Sequence, residues 1–174
     1  MAIALDTTAK GKAGGSNGTV SHVVSAGLTN SLLVACVSAE DSNHANLPIT
    51  SATYAGSTMT LVRQDTSNTN NVSAAILYIL NPNSGTNNFV VNTTGGVWKG
   101  MVTSSWSGVA QSGQPDAQNG RGTANQSAAV ASQIGTTIAA NSLITSAISS
   151  EANVTGVVSD FTLLGTEQGQ SFEN

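Results

Sequence analysis

Glu40, Asp41 and Asn43 bring two carboxylates and a neutral amide oxygen together in the stretch EDSN. Hard oxygen donors of this kind suit Ca²⁺, so the three are candidate calcium ligands, although their spacing is not that of an EF-hand loop. The competing reading is a solvated turn in which Asp41 accepts hydrogen bonds from loop amides. Glu40, Asp41 and Glu151 are also the only carboxylates placed to act as a pair, and two of them facing one cleft about 5–9 Å apart would suit glycoside hydrolysis. That chemistry needs aromatic platforms, and only 4% of the residues are aromatic. A Ser/His/Asp set would draw on His22, in TVSHVV, or His44, in EDSNHANLP. No nucleophile elbow of the G-x-S-x-G kind accompanies either, and both histidines read as structural. The residue types therefore point to a protein that is not an enzyme.

The composition narrows the partners. Charged residues make up 8% of the 174, against about 25% in an average globular protein. Ser, Thr and Asn supply the polarity instead. Lys10, Lys12, Arg63, Lys99 and Arg121 are the only Lys and Arg residues, and the net charge is −4. No basic surface exists to neutralise a phosphate backbone or an anionic bilayer, so nucleic acid is excluded as a partner. No apolar run reaches the ~18 residues that would span a membrane. Cys36 is the single cysteine, lies in an apolar run, and reads as a buried thiol. The start, MAIALDTTAKGKAGG, shows no secretory signal, which implies either a removed leader or release by another route, such as packaging on a virus particle. N-x-[ST] sequons at Asn17, Asn71, Asn92, Asn125 and Asn153 match the number that so Asn-rich a chain produces by accident.

The elements that must position these residues are strands. Short runs rich in Val, Ile, Thr and Leu recur between Gly/Asn/Ser/Pro clusters, which is the all-β pattern. Strands are expected at Ile3–Asp6, Thr19–Ser25, Leu32–Ser38, Ile49–Tyr54, Met59–Asp65, Ala74–Leu80, Asn88–Asn92, Lys99–Ser105, Ala128–Gln133, Leu143–Ser149 and Phe161–Glu167. ITSATYAGSTMTLV reads as a hairpin turning at Ala55-Gly56-Ser57, where Gly56 can take a positive φ. ILNPNSGTNNFVV turns at Pro82 and Gly85. GVAQSGQPDAQNGRGTA, over 108–124, is too long for a tight hairpin and reads as a crossover or functional loop. No linker divides the chain, so residues 1–174 are expected to form a single domain. NSLLVACVSAE at Asn30–Glu40 and NSLITSAISSE at Asn141–Glu151 are alike, which either a shared strand environment or an old internal repeat would explain.

The order of NSLLVACVSAED, ITSATYAGSTMTLVRQ, AAILYILNPNSGTNNFVV, MVTSSWSGVAQSGQPDA and NSLITSAIS resembles a group of β-sandwich modules found in secreted bacterial proteins and phage virion proteins. Residues 30–149 carry the resemblance, with Trp106 where that group commonly has Phe. It implies an all-β fold, a two-layer antiparallel jelly-roll-like β-sandwich of about ten to eleven short strands, and a role in display or anchoring. Members usually continue into further strands beyond a segment like GTEQGQSFEN, so the module is expected to lack its last strand or strands. A sheet edge left open in this way invites a strand from a neighbouring chain.

Two functions are therefore expected. The first is a structural protein of a virion surface, a capsid decoration or tail-associated module contacting protein subunits as a homo-oligomer or assembly component. The second is a secreted or cell-surface adhesion or carbohydrate-binding module whose partners are glycans. Trp98 and Trp106 are the candidate interface residues, with core packing as the alternative for each.

Overall fold

The computed structural model describes residues 2–67, 71–120, 142–147 and 149. Within them run nine strands: β1 (Ala4–Ala13), β2 (Asn17–Val24), β3 (Leu32–Glu40), β4 (Ile49–Tyr54), β5 (Ser57–Thr58), β6 (Thr60–Ser67), β7 (Val72–Leu80), β8 (Gly85–Thr93) and β9 (Trp98–Ser107). A 3-10 turn at His44–Asn46 interrupts the β3–β4 connection. One sheet has the order β1-β9-β3-β7-β6 and the other β2-β8-β4-β5, with all neighbours antiparallel. Only β4–β5 and β6–β7 are hairpins within one sheet; every other step changes sheet. Strands β1, β9, β3 and β7 facing β2, β8, β4 and β5 are a jelly-roll sandwich, and β6 extends its first sheet.

Alternation explains which side chains meet. In NGTVSHVV of β2, Gly18, Val20, His22 and Val24 are buried while Asn17, Thr19, Ser21 and Val23 are exposed, as a strand buried on one face requires. Tyr54 of β4, Phe89 and Val91 of β8, Leu33 and Val37 of β3, Leu77 of β7 and Met101 of β9 fill the space between the sheets. Strand β3 is different, being apolar on both faces. Its outward Leu32 and Val34 are buried in a second cluster with Val109, against which Trp106, Tyr78 and Leu143 pack. The segment after β9 makes that cover. Gly108, at φ 76°, turns the chain out of the sheet; its N–H and that of Val109 bond to the carbonyls of Thr29 and Asn30 at 3.1 and 2.9 Å. A β-carbon at Gly108 would run into the backbone of Ala2.

The structure corrects several expected elements. Strand β1 reaches Ala13 rather than ending at Asp6, because pairing with β9 continues through Ala13↔Lys99. Lys10 and Lys12 are exposed along this edge, where charge discourages edge-to-edge aggregation. The expected strand Met59–Asp65 is β6, which starts at Thr60, but the hairpin partner of β4 is the short β5 instead. Ala55 and Gly56, at φ 50° and 81°, make the two-residue turn closed by Tyr54↔Ser57, but at buried Met59 the chain leaves for the other sheet. The turn at Pro82 and Gly85 likewise carries the chain between sheets instead of closing a hairpin. Residues 143–147, within the expected Leu143–Ser149, form no strand, nor does Ser142 before them. They lie against the outer face of the first sheet, where the Cys36 thiol meets the Ser146 carbonyl at 3.8 Å. Ala128–Gln133 and Phe161–Glu167 lie outside the described residues.

Gln64 closes the edge between the sheets. Its Oε1 accepts from Ile49 N–H at 3.0 Å, and its Nε2 donates to the Leu47 carbonyl at 2.9 Å and to Ser73 Oγ at 3.2 Å. Replacing it with leucine keeps the volume but strands these backbone groups, and the expected loss is about 1–3 kcal/mol. Urea unfolding of Gln64→Leu checks this; a midpoint equal to the parent's contradicts it.

Candidate functional site

The chemistry-bearing residues fall into separate places. His22 is 1% exposed and faces the interior from β2. Its Nδ1 lies 2.9 Å from Thr103 Oγ1 of β9. Its Nε2 lies 3.1 Å from Ser105 Oγ and 3.2 Å from Thr7 Oγ1. Tyr54 meets the ring edge-on at 6.3 Å and donates its hydroxyl to the His22 carbonyl at 3.3 Å. The irregularity between Leu5 and Thr8 in β1 falls at Asp6 and Thr7, and both join this cluster, consistent with a bulge redirecting side chains.

Counting protons assigns the tautomer. Ser105 gives its hydroxyl proton to Asp6 Oδ2 at 2.7 Å, and Thr7 gives its own to the Val23 carbonyl. Neither can donate to the ring, so His22 Nε2 carries the proton; with the ring neutral, Nδ1 accepts from Thr103 at 2.9 Å, shorter than the alternative of the same hydroxyl to the Ala9 carbonyl at 3.4 Å. Burial lowers the His22 pKa, with Asp6 opposing. For Asp6 itself burial pushes the pKa upward, but hydrogen bonds from Ser25 and Ser105 and the nearby His22 outweigh it and leave the carboxyl below its ordinary range. The neutral ring and the ionised carboxylate thus share one serine.

This is not the geometry of a hydrolytic triad. There the carboxylate orients the imidazole and the serine faces substrate. Here the carboxylate holds the serine, and Ser105 is 0% exposed. The cluster ties β1, β2 and β9 together across the corner of the sandwich. Lys99, also buried on β9, donates Nζ to the carbonyls of Gly15 at 2.5 Å and Val97 at 3.3 Å, and burial lowers its pKa. Alternation along KGMVTSSWS puts Lys99, Met101, Thr103 and Ser105 on one inward face, a signal present in the sequence but masked by the abundance of Ser and Thr.

The candidate calcium ligands serve a loop. Asp41 Oδ2 accepts from Asn46 Nδ2 at 2.6 Å, and its N–H donates to the Asn71 carbonyl at 3.0 Å. Asn43 Oδ1 accepts from Ala45 N–H at 3.1 Å and caps the 3-10 turn. Glu40 ends β3, opposite Val72 on one side and Trp98 on the other. Among the described residues, no three His, Cys, Asp or Glu side chains gather as metal ligands do. Glu151 lies outside those residues. His44 begins the 3-10 turn. Cys36 is half-buried, and burial pushes its thiol up to about 12.

The two tryptophans diverge. Trp98 is 52% exposed at the start of β9 and sits where a β-carbon on Gly14 would strike it. Trp106 packs in the outer cluster with its Nε1 donating to Ser104 Oγ at 2.9 Å.

Two surface features remain. The outward side chains of the four-stranded sheet are Asn17, Thr19, Ser21 and Val23 of β2, Thr86, Asn88, Val90 and Asn92 of β8, Ser51 and Thr53 of β4, and Thr58 of β5. None is ionisable. At one end of this sheet, the β2–β3 and β7–β8 connections line an open, mostly polar cleft of about 290 Å³. No helix among the described residues is long and apolar enough to cross a membrane. No family model, curated protein or solved structure matches the chain.

Proposed function

We propose that this chain is a non-enzymatic structural module of a virion surface, a capsid decoration or tail-associated protein that works through contacts between subunits. The order of its sequence motifs, their resemblance to β-sandwich modules of phage virions, and the jelly-roll strand order all support this reading. The observation that carries it is where the exposed aliphatic side chains lie. Of the four large exposed aliphatic side chains among the described residues, Leu5, Val23 and Leu61, at 44%, 47% and 41% exposed, stand on β1, β2 and β6, which are edge strands of the two sheets, while Ile144, at 42%, lies on no strand. Edge strands present unpaired backbone groups, so aliphatic side chains beside them suit strand-to-strand contact with a neighbour; at Val23, whose carbonyl accepts from Thr7, the side chain makes the contact. Burying these side chains between copies supplies roughly 25 cal/mol per Å² of apolar surface.

Sedimentation velocity tests the reading. The intact chain at about 100 µM, ample for a micromolar contact, is expected to run as a symmetric oligomer. Leu61→Lys combined with Val23→Lys is expected to run as a monomer with unchanged thermal stability. A parent chain that stays monomeric, or a double variant that assembles as the parent does, overturns it.

A further inference from the structure

We propose that Asn119 is a site of spontaneous deamidation, in which the Gly120 nitrogen closes a succinimide on the Asn119 side chain and water opens it to aspartate and isoaspartate. This does not rest on the virion reading.

The loop after β9 brings the reacting atoms together. It leaves the sheet at Gly108 and reaches the edge strand β6 at Gly120, whose carbonyl accepts from Arg63 Nη2 at 3.0 Å. There the exposed Asn119 turns its side chain back on its own backbone, and its Oδ1 accepts from the Gly120 N–H at 2.8 Å. A donor at that position requires the side-chain oxygen, not its nitrogen, to face it. The contact sets the Gly120 nitrogen beside Cγ, the atom it attacks. The Asn119 amide nitrogen makes no hydrogen bond among the described residues, so ammonia departs into solvent.

Packing demands the glycine that leaves the attack unobstructed. A β-carbon at position 120 would run into Asp65 Oδ2 and Arg63 Nε, which are themselves bonded at 2.5 Å, with Nη2 to Oδ1 at 2.7 Å. Only glycine lets the loop approach this ion pair so closely.

The chemistry balances with water alone. A bond forms between the Gly120 nitrogen and Asn119 Cγ, the bond from Cγ to Nδ2 breaks, and Nδ2 leaves as ammonia with the proton that Gly120 loses. Water then cleaves the cyclic imide at either carbonyl. Opening at the side-chain carbonyl gives aspartate; opening at the backbone carbonyl gives isoaspartate, with the main chain running through Cβ and Cγ. Either product adds a negative charge to a chain of net charge −4, next to the guanidinium that holds the loop to β6.

The molecule carries its own control. Asn17–Gly18 is the other Asn-Gly pair in the sequence, but it lies in β2, where Asn17 pairs with Asn92 and Gly18 with Val91. Gly18 is buried, and a β-carbon there would stand 2.8 Å from Met101 Sδ. Closing the ring at Asn17 swings this peptide out of its ladder, so it waits on local opening of the strand.

The test ages the full chain in mildly alkaline buffer, native and in urea, and follows its tryptic peptides by mass spectrometry. Cleavage after Lys99 and Arg121 releases 100–121, in which Asn119 is the only asparagine, and cleavage after Lys12 and Arg63 releases 13–63, which holds Asn17. In the native chain Asn119 is expected to convert at least about tenfold faster than Asn17, the ratio set by the opening that β2 must undergo. In urea the two rates are expected to agree within about twofold. Electron-transfer fragmentation is expected to find isoaspartate as well as aspartate at 119. Equal native rates at the two sites, an Asn119 that persists in the native chain while the urea sample converts, or aspartate without isoaspartate overturns the proposal.

Discussion

Replacing Phe89 with alanine removes about 3–5 kcal/mol of folding stability, among the largest losses expected from a single truncation of the described residues. Phe89 is 0% exposed and faces the interior from β8, paired with Val20 on one side and Tyr54 on the other. Apart from Tyr54, the core around it consists of Val, Leu, Ala and Met. In a sandwich whose sheets are held apart by their own ladders, small neighbours cannot move in to fill the space of a lost ring, so the cavity persists. Total stability for a domain is about 5–15 kcal/mol, and at this size 1 kcal/mol moves the melting temperature about 2–4 °C. Phe89→Ala should therefore melt at least about 6 °C lower, with the urea m-value unchanged. A loss under about 1 kcal/mol places Phe89 outside the core and refutes the sheet pairing described above.

Acid is expected to weaken the fold in two stages, and His22 controls the first. Burial lowers its pKa below the ordinary 6.5. Below pH 6.5 the unfolded histidine takes up a proton that the folded one does not, so the unfolded state gains. The contribution of His22 is complete above pH 6.5 and shrinks as pH falls toward its folded value, by at most about 1.4 kcal/mol per pH unit. Asp6, also lowered, contributes above its unfolded pKa of 3.8 and loses that contribution as pH falls further. His22→Gln retains a donor and an acceptor but cannot titrate. Urea midpoints between pH 7 and 3 are expected to show the first stage in the parent and not in His22→Gln, with the second stage present in both. Equal slopes between pH 6.5 and 4.5 would mean that His22 is solvated.

Much of the fold could be read from alternation. NGTVSHVV and ITSATY show one apolar and one polar face, and the structure buries the apolar ones. What could not be read depends on contacts made at a distance. The second half of β1, TTAKGKA, alternates Ala9, Gly11 and Ala13 with exposed Lys10 and Lys12, and Ala9 and Ala13 pack on the core, but a stripe of such small residues is a weak signal beside the pairing with β9 that extends the strand. Met59 points inward whether the chain stays in its sheet or leaves it, so no pattern marks the switch between β5 and β6. The resemblance of NSLITSAIS to NSLLVACVS misleads for the same reason. Leu32–Ser38 is a central strand, while 142–147 crosses the outer face without pairing.

The sites were legible in kind but not in use. An oxygen-rich EDSN loop is visible in the sequence, yet only the structure shows Asp41 bound to Asn46 and Asn43 capping a turn. Thr103 and Ser105 are indistinguishable in the sequence from many other hydroxyls, and become a site because β9 faces His22 across the sandwich. The neutral sheet face follows from composition alone: with 8% charged residues, one face of a sheet can be left without any.

The central claim is that this molecule works by uncharged contact. Its most direct test is sedimentation of the proposed assembly as salt rises from about 0.05 to about 1 M, which shortens the Debye length to about 3 Å. The account predicts the same oligomer throughout, because aliphatic side chains and backbone hydrogen bonds hold it. Dissociation at high salt would contradict the account by showing that charge makes the contact.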